Sequence, residues 1–141
     1  MEVRVEHLGA MQFEIQARGH KVFSDQPLEI GGYDEGMTPP EFFLGSLGAC
    51  AGFYAADYVK KRKLPAEGLA VRVKADKVKA PARLENLQIA VEYPHPIEPA
   101  HREGLQKAVE ACLIHNTLLN KPHITTTIET EAGRSKSKRA A

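Results

Sequence analysis

Near the N-terminus apolar and polar positions alternate: Val3 and Val5 stand against charged neighbours between Glu2 and Leu8, and Met11, Phe13 and Ile15 against Gln12, Glu14 and Gln16 between Met11 and Ala17. Period-two alternation marks half-buried strands, and Leu8-Gly9-Ala10-Met11 between them reads as a hairpin turn. Arg18-Gly19-His20 breaks the pattern before a short strand at Lys21 to Ser24 and a loop carrying Pro27, Gly31, Gly32 and Gly36. The period then changes. Thr38-Pro39-Pro40-Glu41 sets a hydroxyl at the N-cap, proline at N1 and glutamate at N3, the composition of a capping box with a preset first turn. The helix it opens is predicted to run to about Lys63 and to stop before Pro65.

Phe42, Phe43, Leu44, Leu47, Ala49, Ala51, Phe53, Tyr54, Ala55, Ala56 and Val59 point in nearly every direction around that helix, so it is expected to be buried on most sides. Gly45, Gly48 and Gly52 each cost it about 1 kcal/mol relative to alanine, which calls for close approach of another helix or backbone. A chain this small has little left to cover such a helix, and a partner subunit is expected to supply part of the lid. Two further strands follow, Leu69 to Lys79 with a phase slip before Val78 that suggests a bulge, and Leu87 to Tyr93. Pro96 and Pro99 introduce a second helix with an apolar face of Leu105, Ala108, Val109 and Cys112, predicted to end at Asn120 before Lys121-Pro122. His123 to Glu131, with Ile124, Thr126, Ile128 and Thr130 alternating, reads as a last strand. The order predicts an α+β fold with one domain over residues 1–132 and a basic, disordered tail over 133–141.

Composition narrows the function. The chain has 141 residues, 43% of them hydrophobic, and a net charge of +1. Its charges are scattered outside the tail, so no basic stripe of the kind that tracks nucleic acid is visible. No basic start followed by an apolar run opens the chain, and no stretch reads as the roughly 18 apolar residues of a membrane span, so a cytoplasmic protein without a membrane partner is expected. In a reducing compartment, two cysteines are buried small hydrophobes or redox-active thiols rather than a permanent bridge.

Those cysteines are the natural candidates for chemistry. Cys50 and Cys112 lie 62 residues apart (112 minus 50), each in the middle of a predicted helix on an apolar face. Continuing the second helix past Cys112 puts His115 and Asn116 on the same face. Either these two cap carbonyls inside the core, or they line a small pocket with Cys112, to which Tyr54 is also assigned. Cys50 lies 12 residues beyond Thr38, too far for the dipole of its own helix to hold a thiolate. A cation is therefore required, with Arg18 the best placed and Arg4 and His20 behind it; the alternative for Arg18 is an ordinary exposed turn arginine. Cys50, Cys112 and His115 could also suggest zinc, but no close Cys-x-x-Cys or His pair supplies the usual ligand spacing. Neither a metal nor another cofactor is expected.

The run from Thr38 through Pro-Pro-Glu-Phe-Phe-Leu-Gly-Ser-Leu-Gly-Ala to Cys50, with Cys112-Leu-Ile-His-Asn-Thr-Leu beyond it, resembles the OsmC/Ohr superfamily of osmotically inducible and organic hydroperoxide resistance proteins. Asp25-Gln-Pro-Leu-Glu-Ile-Gly-Gly and Gly36-Met-Thr-Pro resemble the loop leading into that family's central helix. The resemblance implies an intertwined homodimer with long central helices between β-sheets. It also implies a thiol peroxidase active in oxidative stress defence, with Cys50 peroxidatic, Cys112 resolving, and a dithiol as electron donor. In the peroxidase branches a glutamate ten residues before the first cysteine pairs with an arginine; here that position is Pro40, and Glu41 is one place off. Nine residues turn an ideal helix by about 900°, so Glu41 would point away from Cys50 and is more simply a capping residue, unless fraying of the first turn brings it inward as a catalytic one. A non-catalytic dimer that binds a small ligand is the alternative function.

Overall fold

The computed structural model describes residues 1–130; the tail assigned to 133–141 lies outside them. The chain is α+β, with three helices and two small sheets. The first sheet is antiparallel, in the order β1 (Arg4–Gly9), β2 (Gln12–Ala17), β3 (His20–Ser24). Its register places Val5 opposite Ile15 and Ile15 opposite Val22, so the alternation read from the sequence forms one apolar row. On the other face Lys21 pairs with Glu14 at 3.0 Å. Arg18 and Gly19 make the β2–β3 turn, with φ of 59° and 125°. Positive φ at both central residues matches the right-handed twist of the flanking strands.

A loop joins β3 to the long helix, and the buried carboxylate of Asp25 organises it. Asp25 accepts hydrogen bonds from the backbone N–H groups of Gln26 (2.8 Å), Tyr33 (3.0 Å) and Glu35 (3.2 Å). Burial pushes its pKa up, but the three amides outweigh burial and hold it below the usual carboxylate value. Gly32 is required here because a Cβ would run into the Gln26 carbonyl.

The central helix α1 spans Pro39–Lys61. Both the N–H (2.7 Å) and the hydroxyl (2.8 Å) of Thr38 donate to Glu41, which fixes the first turn. Leu47, Ala51, Ala55 and Val59 recur every fourth residue as its buried stripe. Full burial of each larger member contributes about 1.5–3 kcal/mol. The stripe packs against α2 (Pro99–Glu110) and the antiparallel pair β4 (Ala70–Lys79) and β5 (Ala82–Glu92). The register slips between Lys74 and Asp76, the bulge read as a phase change.

Three expectations need correction, and a fourth, burial of α1 on most sides, is met in part by one chain, as expected of a helix that needs a partner subunit for the rest of its cover. The close neighbours of the α1 glycines are side chains of β4, not another helix: a Cβ on Gly48 would stand 3.1 Å from Val73 Cγ2 and one on Gly52 3.6 Å from Val71 Cγ2, while Gly45 has nothing within 4 Å. Within one chain α1 is covered on one face only, and Phe53 on the opposite face is 66% exposed. Contrary to the hydropathy reading, α1 is long and apolar enough to cross a bilayer by length and composition, yet its buried stripe serves as the core of the chain. Finally, residues 121–130 form no strand, and Ile124 and Ile128 are exposed, because among the described residues no strand lies alongside to complete a ladder.

Candidate functional site

The predicted second helix is broken at Cys112. Helix α2 stops at Glu110, and Cys112, with φ −57° and ψ 135°, becomes the N-cap of α3 (Leu113–Leu119). The break accounts for the polar residues that continued an otherwise apolar face. The extended backbone at Cys112 re-aims α3, so Asn116 turns to solvent and donates from Nδ2 to the Ala111 carbonyl at 3.2 Å. Asn116 therefore belongs to the turn, not to a pocket.

The same break brings backbone amides to the thiols. Both cysteines are free; Cys112 is fully buried and Cys50 partly so. Burial pushes the Cys50 thiol up, but the Cys112 side chain and the N–H groups of Ile114 and Leu113 hydrogen-bond its sulfur and bring it below the ordinary thiol value. Cys112 is pushed up, first by burial and then by donating to Cys50, with the His115 and Ile114 amides pulling weakly the other way. The pair is thus polarised, Cys50 towards thiolate and Cys112 towards thiol.

Sequence reasoning missed the Leu113 and Ile114 amides because it ran one helix through Cys112. The signal was present: Asn116 falls where the i+4 repeat from Leu105, Val109 and Cys112 calls for an apolar residue. The argument for a cation changes as well. Arg18 lies in the exposed β2–β3 turn, and within one chain the Cys50 sulfur is held by Cys112, Ile114 and Leu113 rather than by a guanidinium. Arg4 pairs with Glu6 and is likewise engaged within its own strand, and His20 is exposed beside Arg18.

Glu41 is occupied by the cap. The Thr38 N–H and then its hydroxyl hold the Glu41 carboxyl below the usual range despite partial desolvation. Nine residues along one continuous helix separate it from Cys50 of the same chain by about 13.5 Å of rise, so within one chain Glu41 serves the cap rather than the thiol. Tyr54, half-buried, packs edge-on against Phe53 at 5.3 Å. His115 does line a cavity, of about 880 Å³, between β5 and α2–α3. Neither Cys112, Asn116 nor Tyr54 lines it. The His115 Nδ1 atom is buried without a hydrogen-bond partner. Among the described residues no group of three or more His, Cys, Asp or Glu side chains is arranged to hold a metal ion.

Comparison with solved structures finds this arrangement of sheets and helices elsewhere. A candidate osmotic stress induced and detoxification response protein of Psychrobacter arcticus superimposes with a TM-score of 0.75 at 14% identity, over 82% of this chain and 85% of that one. An OsmC-like protein of Mycoplasma pneumoniae gives a TM-score of 0.68 at 16% identity, over 85% and 87%. An organic hydroperoxide resistance protein of Legionella pneumophila gives 0.58 at 18%, over 84% and 89%. At these identities the likeness is one of fold. No curated protein matches the chain significantly. The OsmC-like protein family, however, matches residues 32–127, which contain the end of the loop before α1, the whole of α1 and both cysteines, and the chain therefore belongs to that family.

Proposed function

We propose that this protein is a thiol-dependent peroxidase that reduces organic hydroperoxides through Cys50 and Cys112 in oxidative stress defence. Family membership and the hydroperoxide resistance protein among its structural relatives support a redox or stress-related role. The observation that carries the finer reading is that two free thiols 62 residues apart in the chain (112 minus 50) meet, the buried Cys112 hydrogen-bonded to the partly buried Cys50. The Cys50 thiolate attacks the peroxide oxygen, the O–O bond breaks, and the alkoxide leaves with a proton as an alcohol. Cys50 is then a sulfenic acid. Cys112 condenses with it, forming the disulfide and releasing water, and a dithiol donor restores both thiols.

The working unit in this reading is a homodimer. Three apolar surfaces lack cover in one chain: the Phe53 side of α1, the Val5–Ile15–Val22 row of the first sheet, and the alternating segment with Ile124 and Ile128. The first sheet and the helical layer share no interface comparable to that between α1 and β4 among the described residues, so the β2–β3 turn is free to meet a second copy. Arg18 is retained as the cation that the second copy brings to Cys50.

The test is consumption of cumene hydroperoxide with a dithiol reductant. Wild type should turn over, Cys50→Ser should not, and mass mapping after one equivalent of peroxide should find an intramolecular Cys50–Cys112 disulfide. Wild type that consumes no hydroperoxide with any dithiol refutes the peroxidase.

A further inference from the structure

The cavity beside the thiols has features that peroxide chemistry does not use. Its volume of about 880 Å³ falls in the range of small-molecule sites, and neither cysteine lines it. Leu87, Ile89 and Val91 of β5 face Leu105 and Val109 of α2 as its apolar walls. Two polar groups interrupt them. Arg102, exposed on the α2 side, makes no ion pair among the described residues. His115 also lines the cavity, but its unpartnered Nδ1 is buried and offers a ligand no accessible surface. The other three polar lining residues are engaged, Tyr93 donating its hydroxyl to the Pro65 carbonyl at 2.9 Å and Gln106 Nε2 donating to Glu110 at 2.9 Å. Glu110 lies eight residues beyond Arg102, about 12 Å along α2, so its charge is kept from the guanidinium.

We infer that this cavity is a binding site for an amphipathic monocarboxylate, its acid group on Arg102 and its apolar body between β5 and α2. The site is separate from the thiol pair, so its occupancy does not depend on peroxidase activity.

Calorimetric titration of decanoate into the Cys50→Ser protein tests this without any turnover, and should show saturable binding of one decanoate per chain. Arg102→Glu should weaken decanoate by about tenfold or more, the loss expected for a hydrogen bond to a charged group. Decanol, which has no charge to offer, should be affected far less. Leu87→Trp and Leu119→Trp each place an indole in the cavity and should remove both probes; Leu119 is 71% exposed, so this second variant keeps the test valid if the first misfolds. Absence of saturable decanoate binding, equal losses for decanoate and decanol in Arg102→Glu, or undiminished binding in a filled variant with parental circular dichroism overturns the inference.

Discussion

Gly48 and Gly52 face the same strand, yet replacing them should move stability in opposite directions. A Cβ on Gly52 would meet Val71 Cγ2 at 3.6 Å, an ordinary van der Waals contact. Gly52→Ala therefore keeps the helix-propensity gain and should stabilise by about 0.5–1 kcal/mol. A Cβ on Gly48 would stand 3.1 Å from Val73 Cγ2, and leucine adds three more carbons behind it. Overpacking typically costs about 1–3 kcal/mol; set against a propensity gain of about 1 kcal/mol, Gly48→Leu should be destabilised by up to about 2 kcal/mol. Urea unfolding followed by the helical circular dichroism signal measures both, at one fixed protein concentration because assembly adds to apparent stability. The functional link is α1 itself. Shifting it over β4 moves Cys50 away from the Leu113 and Ile114 amides, so the alkylation midpoint of Cys50 in Gly48→Leu should rise with the loss of stability. A Gly48→Leu protein more stable than wild type, or a destabilised Gly52→Ala, would refute the packing argument.

Because its pKa is lowered while that of Cys112 is raised, Cys50 should be alkylated by iodoacetamide at lower pH than Cys112; Cys112→Ala removes a donor and should move the Cys50 midpoint upward, and an unmoved midpoint would show that the amides alone hold it. Arg18→Ala should raise that midpoint only in the assembled protein, and an identical profile would remove Arg18 from the site. Asp25 has its native pKa depressed, so its stabilising contribution is present above the ordinary carboxylate value of 3.8 and is lost as pH falls through the lower native value; Asp25→Asn should flatten that acid dependence and speed hydrogen exchange at Gln26, Tyr33 and Glu35, and unchanged exchange at those amides would count against its role in the loop. Sedimentation should give twice the chain mass of 15.5 kDa, and Phe53→Glu should shift the protein towards monomer; a stable wild-type monomer would end the dimer reading.

Local physics made much of this chain legible in its sequence. Alternation set the three N-terminal strands and β4–β5, since a strand with one buried face has no other way to segregate its side chains. Thr38, Pro39 and Glu41 fixed the start of α1, because capping is decided within a single turn. The family was readable from the residues around Cys50 and Cys112. Tertiary structure decided the rest. Asn116 in an apolar repeat hints that the helix does not run on, but only the folded chain decides that the break falls at Cys112 and delivers the Leu113 and Ile114 amides to a sulfur 62 positions earlier (112 minus 50). Pairing across that distance also set the polarity of the two thiols, a property of their mutual geometry that spacing cannot express. The segment after Asn120 shows the opposite case: its alternation is clear, but a strand exists only when another strand accepts its hydrogen bonds, and the described residues of one chain offer none.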